Sequence, residues 1–207
     1  MEKIVKQARM PTGRFGTFCA RLMNIGHSNL TRWGLGHISV NIDDKILDIG
    51  CGGGKTVNTL AKIATEGEIY GIDYSEVSVA VSTNKNKRLI GAGRVKILHA
   101  SIDSLPFSDD MFNLVIAVES YYFWPDLINN LKEIRRVLKP GGSVILIHAM
   151  YRDERFEKRN SNLARIDNFT YHLPEEFRVF LKDAGYSSIQ IEVLENKNWI
   201  AAIGTKR

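Results

Sequence analysis

Apolar positions along this chain switch repeatedly between a strand period and a helix period, which predicts alternating β and α elements. KILDIG (45–50) is a short apolar run ending in glycine, the pattern of a buried strand. KTVNTLAKIAT (55–65) instead places Val57, Leu60, Ala61 and Ala64 on one helical face. EIYGID (68–73) predicts a second strand, and Ser75 is placed to cap a helix running to about Ile90. RVKILHA (94–100) predicts a third strand. FNLVIAVE (112–119) predicts a fourth, apolar through its middle as a central parallel strand requires.

DLINNLKEIRRVL (126–138) reads as an amphipathic helix with Asp126 near its start, stopped by Pro140, Gly141 and Gly142. SVILIHAM (143–150) is the expected fifth strand, and Pro174 opens a further helix that ends at Gly185. SIQIEVLE and WIAAIGTK, joined by Asn196, Lys197 and Asn198, predict a closing antiparallel pair. The sum is a set of βαβ units around a mostly parallel sheet. Two stretches stand outside this rhythm. Residues 1–43 look mostly helical, with a stripe of Phe18, Leu22, Ile25, Leu30, Trp33, Leu35 and Ile38. Residues 151–172 are polar, carry Arg152, Arg155, Lys158, Arg159 and Arg165, and read as a loop or loose helix. Segments beyond strand carboxyl ends cover ligands in open α/β sheets.

Composition narrows the class. With 207 residues, 44% of them hydrophobic and 25% charged, the chain suits one α/β domain plus a small cap, with a core that needs no disulfide or structural metal. The two cysteines, Cys19 and Cys51, form no CxxC pair, which excludes a disulfide framework and a zinc site. No apolar run approaches the roughly 20 residues of a membrane helix, and the basic N-terminus lacks a signal peptide's apolar core. The expectation is a soluble, cytoplasmic protein with no membrane partner. A net charge of +5 leaves an anionic partner such as nucleic acid open.

The chemistry begins where the first strand meets the first helix, at Asp48-Ile49-Gly50-Cys51-Gly52-Gly53-Gly54-Lys55. Glycines serve where backbone turns sharply and approaches a ligand closely. The dinucleotide pattern GxGxxG fails because position 55 is Lys, and the phosphate-loop pattern GxxxxGK[ST] fails because position 49 is Ile. What remains is D-x-G-x-G-x-G, suited to a nucleoside-like ligand without phosphates. Asp73, ending the second strand, is placed to accept hydrogen bonds from both hydroxyls of a ribose. Asp48 either holds an amino group of the ligand or orders the glycine loop.

ILDIGCGGG, GIDYS, SLPFSDDMFNLV and LKPGG resemble, in order and spacing, the class I S-adenosylmethionine-dependent methyltransferases, over about residues 44–150. The resemblance implies a three-layer αβα Rossmann-like fold with a seven-stranded sheet in the order 3-2-1-4-5-7-6, strand 7 antiparallel. It divides the chain into an N-terminal helical cap (1–43) and an S-adenosylmethionine-binding domain (44–207). By the same resemblance, Gly50, Cys51 and Gly52 contact the methionine part of the cofactor by backbone, Asp73 binds the ribose and Tyr74 packs on the adenine. The family's acid after strand three is replaced by Ser101, while Ile102 still packs on the base. Asn113 also stands where the family has an acid.

Methyl transfer from a sulfonium is an in-line displacement, so the protein mainly aligns and desolvates its reactants. The segment Glu119–Asp126 follows strand four, and its aromatics include Tyr121, Tyr122 and Trp124, expected to line the acceptor pocket. Glu119 is a candidate general base or a partner of the cofactor's ammonium group. His148, at the end of strand five, and His27, in the cap, are further candidates, as is the pair Tyr171-His172. These features favour S-adenosylmethionine-dependent methylation of a small molecule. An RNA methyltransferase and a non-catalytic S-adenosylmethionine-binding protein are the alternatives. Against RNA stands the absence of an Asn/Asp-Pro-Pro-Tyr/Phe tetrapeptide after strand four, where Glu119-Ser120-Tyr121-Tyr122 is found.

Overall fold

Seven strands form one sheet in the order β3-β2-β1-β4-β5-β7-β6 in a computed structural model of the chain. The structure describes residues 11–13, 16–18, 26–167 and 169–207; Cys19, Leu22 and Ile25 lie outside them. The strands are β1 (Ile46–Ile49), β2 (Ile69–Asp73), β3 (Val95–His99), β4 (Phe112–Val118), β5 (Leu138–His148), β6 (Ser187–Leu194) and β7 (Trp199–Thr205). Strands β1 to β5 pair in parallel, and β7 runs antiparallel to both β5 and β6. The short connection after β6 ends on Asn198 in the left-handed conformation, which lets the chain reverse.

Because successive strand residues point to opposite faces, each strand feeds two cores. Leu47, Ile49, Val115, Ala117 and Leu146 face one side, where helices α4 (Leu127–Val137) and α6 (Pro174–Asp183) bring Leu131, Ile134, Phe177 and Leu181. Ile46, Leu114, Ile116, Ile145 and Ile147 face the other, against helices α1 (Ser28–Leu35) and α2 (Lys55–Ile63), which supply Leu30, Val57, Leu60 and Ala61. Helix α3 (Glu76–Gly91) completes that second layer, capped by Ser75, whose side chain accepts from the Ser78 N–H. Helix α1 sits tightly on the sheet: a Cβ at Gly34 would come within 2.5 Å of the Ile147 side chain.

Two segments depart from the sequence reading. Pro140, Gly141 and Gly142, expected to stop a helix ahead of β5, belong to β5 itself. Gly141 is left-handed and its N–H donates to the Lys206 carbonyl, while the register against β4 shifts between Phe112 and Leu114. The glycines are thus absorbed into a bulge that joins β5 to β4 and the end of β7. Residues 151–172 contain a regular helix, α5 (Glu157–Asp167), preceded by a turn of 3₁₀ helix. Among the described residues, no helix is long and apolar enough to cross a membrane.

Candidate active site

A cavity of about 700 Å³ opens at the carboxyl ends of β1, β2 and β4. Its floor is the glycine loop. Gly50, Gly52 and Gly54 all have positive φ (70°, 50° and 76°), so the loop needs residues without a Cβ. Crowding adds to this. A Cβ at Gly50 would lie 2.7 Å from that of Ser120, and one at Gly54 would lie 2.3 Å from the Ser82 hydroxyl. At Gly52 it would meet nothing closer than the Gly50 carbonyl at 4.0 Å, and so would occupy cavity space.

Four of the loop's N–H groups, those of Gly50, Cys51, Gly52 and Gly54, are used within the protein. Gly50 and Cys51 both donate to the Ile72 carbonyl, and Gly52 donates to Asp73 Oδ2 at 2.9 Å. The other Asp73 oxygen accepts from the Ser75 N–H, also at 2.9 Å. Each carboxylate oxygen keeps a lone pair beside its backbone donor; the Ser78 hydroxyl also bears on this carboxylate, and a ribose diol would displace it to use both oxygens. Burial raises the Asp73 pKa, opposed by these backbone donors. Asp48 is buried beside it, and its Oδ2 has no hydrogen-bond partner. Burial, reinforced by the Asp73 charge, pushes the Asp48 pKa up to about 8.

Asp48, Asp73, Asp103 and Glu119 all line the cavity, against Arg32 and Lys55 as its fixed cations. A loop with four of its N–H groups engaged and carboxyl groups around it disfavours phosphate and favours a cationic ligand. Tyr74, Ala100, Ser101 and Ile102 form one end of the cavity, with Ile102 buried and Ser101 exposed. The Ser101 hydroxyl donates to Asp103 Oδ2, whose other oxygen accepts from Asn130. Asp103, two residues beyond Ser101, is therefore an acid in the cavity wall, braced from α4.

At the far end stand His27, Thr31, Arg32 and Leu35 from the start and body of α1, with Phe123 and Trp124 opposite. Pro11 reaches the cavity as well, its carbonyl accepting from the Ser75 hydroxyl. Glu119 faces this end from the tip of β4, and burial raises its pKa. Not all the expected acceptor-side residues are here. Tyr121, Tyr122 and His148 are absent from the cavity wall: the 3₁₀ turn Tyr121–Phe123 rotates the two tyrosines towards the core, where Tyr121 packs on His148 with ring centroids 4.1 Å apart. His172 packs on Phe177 and Phe180, also away from the cavity. Thr31 and Arg32 carry no site signal of their own in the sequence, Leu35 stands there only in the apolar stripe, and Phe123 only within the aromatic run. The recurrence of His27, Thr31 and Leu35 at every fourth residue was the signal that could have found Thr31 and Leu35.

Fold and site together define a Rossmann-like domain that seats an adenosyl ligand lacking phosphates. A methyltransferase-domain family model matches residues 47–146. Demethylmenaquinone methyltransferase of Bacillus subtilis is 40% identical over 104 residues, 50% of this chain and 44% of that protein, so the match spans less than half of that relative. YdaC of the same organism, named an uncharacterised methyltransferase, is 26% identical over 187 residues, 90% of this chain and 95% of its own. A SAM-dependent methyltransferase structure from Aquifex aeolicus shares the fold, with a TM-score of 0.74 at 16% identity over 92% of this chain and 98% of that one. Over residues 47–146 the chain carries the methyltransferase domain of the class I S-adenosylmethionine-dependent methyltransferases. S-adenosylmethionine is accordingly its cofactor, and the observed site fits it: an unpaired buried carboxyl oxygen, a glycine cradle and a ribose-ready carboxylate.

Proposed function

We propose that this chain transfers the methyl group of S-adenosylmethionine to a small-molecule acceptor bound between α1 and the segment after β4. The observation that carries the proposal is the cavity lined by four carboxyl groups, on whose floor the N–H groups of Gly50, Cys51, Gly52 and Gly54 are already engaged within the protein. In this reading Asp73 holds the ribose diol, and Tyr74 and Ile102 flank the adenine beside Ser101. Gly50, Cys51 and Gly52 border the methionine part by close approach and through their carbonyls, because their N–H groups are engaged. Asp48 and Glu119 face the positive charge at that end.

When bound, the cofactor supplies a methyl group on a positively charged sulfur, already activated for displacement. The chain's own residues do the rest. Phe123, Trp124 and Leu35 shield the acceptor side from water, and His27, Thr31 and Arg32 offer polar contacts to an acceptor. Glu119 takes the acceptor's proton, its raised pKa bringing it nearer to neutral pH, where a base works best. The demethylmenaquinone methyltransferase relatives, by their name, act on a small molecule, which supports an acceptor of that class.

The placement of the basic segment favours the small-molecule reading over the RNA alternative. None of the five basic residues of 151–172 lines the cavity. Arg155 is paired with Asp153 and Glu195, and Arg159 donates to Asn198 and the Ala149 carbonyl. The test is thermal unfolding with S-adenosylmethionine, S-adenosylhomocysteine, NAD and ATP, followed by methyl-transfer assays on a metabolite panel and on RNA. Both adenosyl ligands should stabilise the protein, by about 2.7 kcal/mol at a hundred times Kd, while NAD and ATP should not. Turnover on RNA alone would favour the alternative; binding with no turnover on any acceptor would favour a binding protein.

A further inference from the structure

Glu119 has a backbone conformation that side chains rarely adopt, with φ at +55°. Such strain in a non-glycine residue persists only when its surroundings fix it, and it gathers at functional sites. Here the fixing comes from β5: the Glu119 N–H donates to the Ile147 carbonyl, and Glu119 Oε1 accepts from the Ala149 N–H. The carboxyl group is thereby held at the cavity wall, with 19% of the side chain accessible.

Directly behind it is His148. Strand alternation turns Ile147 towards α1 and His148 to the opposite face, where its side chain is completely buried. Neither ring nitrogen has a hydrogen-bond partner, and Nδ1 lies 3.9 Å from Glu119 Oε1. A fully buried polar side chain without partners calls for a physical explanation. The rings of Tyr121, Tyr122 and Phe177, with centroids 4.1, 5.0 and 6.4 Å away, fill the rest of its surroundings. The Glu119 carboxyl stands at 3.9 Å from Nδ1, so a shift of about 1 Å brings the two into hydrogen-bond range; the Tyr121 hydroxyl is likewise buried without a partner.

We infer that His148 is a positioning residue for Glu119, its neutral imidazole directing Nδ1–H at Oε1 to hold the carboxylate form that accepts the acceptor's proton. The inference rests on the reading given under Proposed function. In that reaction a bond forms between the acceptor atom and the methyl carbon, the carbon–sulfur bond breaks with its electron pair left on sulfur, and the proton passes to Glu119. His148 gains and loses no proton. Burial keeps its pKa well below the ordinary value, so it offers an N–H without adding a charge.

The other groups facing this pair are accounted for. His27 from α1 and Arg159 from α5 favour the ionised Glu119, as does the Ala149 N–H, while burial opposes it. Tyr121 and Tyr122 have hydroxyl pKa values pushed well up by burial and remain neutral. His172 and Glu176, at the start of α6, engage each other at 3.5 Å. Within this set, His148 adds a second uncharged donor to the Ala149 N–H, and the two together offset burial of the carboxylate.

Carbon-13 NMR titration of the Glu119 carboxyl, assigned with Glu119→Gln, tests this without knowing the acceptor. His148→Asn keeps an N–H near the Nδ1 position, whereas His148→Leu keeps volume only. Leucine should raise the Glu119 midpoint by about one pH unit or more, the loss of one hydrogen bond to a charged group, and asparagine should leave it close to wild type. Equal midpoints in all three proteins, or equal shifts in both variants, would overturn the inference. Nitrogen-15 spectra of the wild type need no variant to fold: the Nδ1–H tautomer with a bare Nε2 is expected from pH ~6 to ~9, and an Nε2–H tautomer or an imidazolium would contradict it. S-adenosylhomocysteine added to the same samples separates the two readings. Failure to stabilise the wild type would remove the methyltransferase assignment, whatever the titration shows.

Discussion

Asp73→Asn isolates the ribose contact, because the replacement keeps shape and changes only charge and donor pattern. The native carboxylate accepts from the Gly52 N–H on one oxygen and the Ser75 N–H on the other, both at 2.9 Å. An asparagine presents an NH₂ to one of those donors, so one backbone N–H loses its partner whichever way the amide is turned. That costs about 1–3 kcal/mol of stability in the free protein. Ribose binding loses a charge-assisted acceptor, worth about 1.5–3 kcal/mol, which is roughly a 10- to 150-fold weaker Kd. Calorimetry with S-adenosylhomocysteine measures the second quantity, and thermal unfolding without ligand measures the first. A protein that is folded and destabilised yet binds within twofold of wild type would refute the ribose role, leaving Asp73 as a brace for the glycine loop.

Other perturbations follow from the same geometry. Gly50→Ala forces alanine into the left-handed region and a Cβ to 2.7 Å from that of Ser120; together these should cost about 2–5 kcal/mol in chemical denaturation, and a loss under 1 kcal/mol would show that the loop yields. Asp48 has a folded pKa of about 8, above its unfolded value near 4, so its stabilising contribution is complete at low pH and is lost as pH rises towards 8. Asp48→Asn should therefore raise the Tm of the ligand-free protein at pH 8 and much less at pH 5, and a Tm gain independent of pH would contradict this. Glu119→Gln should lower kcat at least tenfold with cofactor affinity little changed if Glu119 accepts the proton; equal losses in both would make it a cofactor contact.

Most of the fold was legible because buried parallel strands and amphipathic helices write different periods into the chain. The exceptions have physical causes. Pro140, Gly141 and Gly142 look like a break, yet hydrogen bonds to the end of β7 draw them into β5. Residues 151–172 look loose because their polar side chains serve tertiary contacts: buried Asn160 bridges the Tyr151 carbonyl and Asn198, which no local period reveals. At the site, the cofactor half was readable from glycine spacing and the acid ending β2. The acceptor half was less so. Four aromatics in a row do not announce which of them a 3₁₀ turn sends inward, and only Phe123 and Trp124 reached the cavity wall. Likewise, a strand-end histidine points to one face or the other by parity, and parity sent His148 behind Glu119 instead of into the cavity.

A crystal structure with S-adenosylhomocysteine bound asks the central question most directly. The two ribose hydroxyls are expected on the two oxygens of Asp73, the amino group at the unpaired oxygen of Asp48, and the sulfur directed at the space between His27, Phe123 and Glu119. An adenosyl ligand seated away from Asp73, or a dinucleotide whose phosphates lie on Gly50–Gly54, would contradict this arrangement.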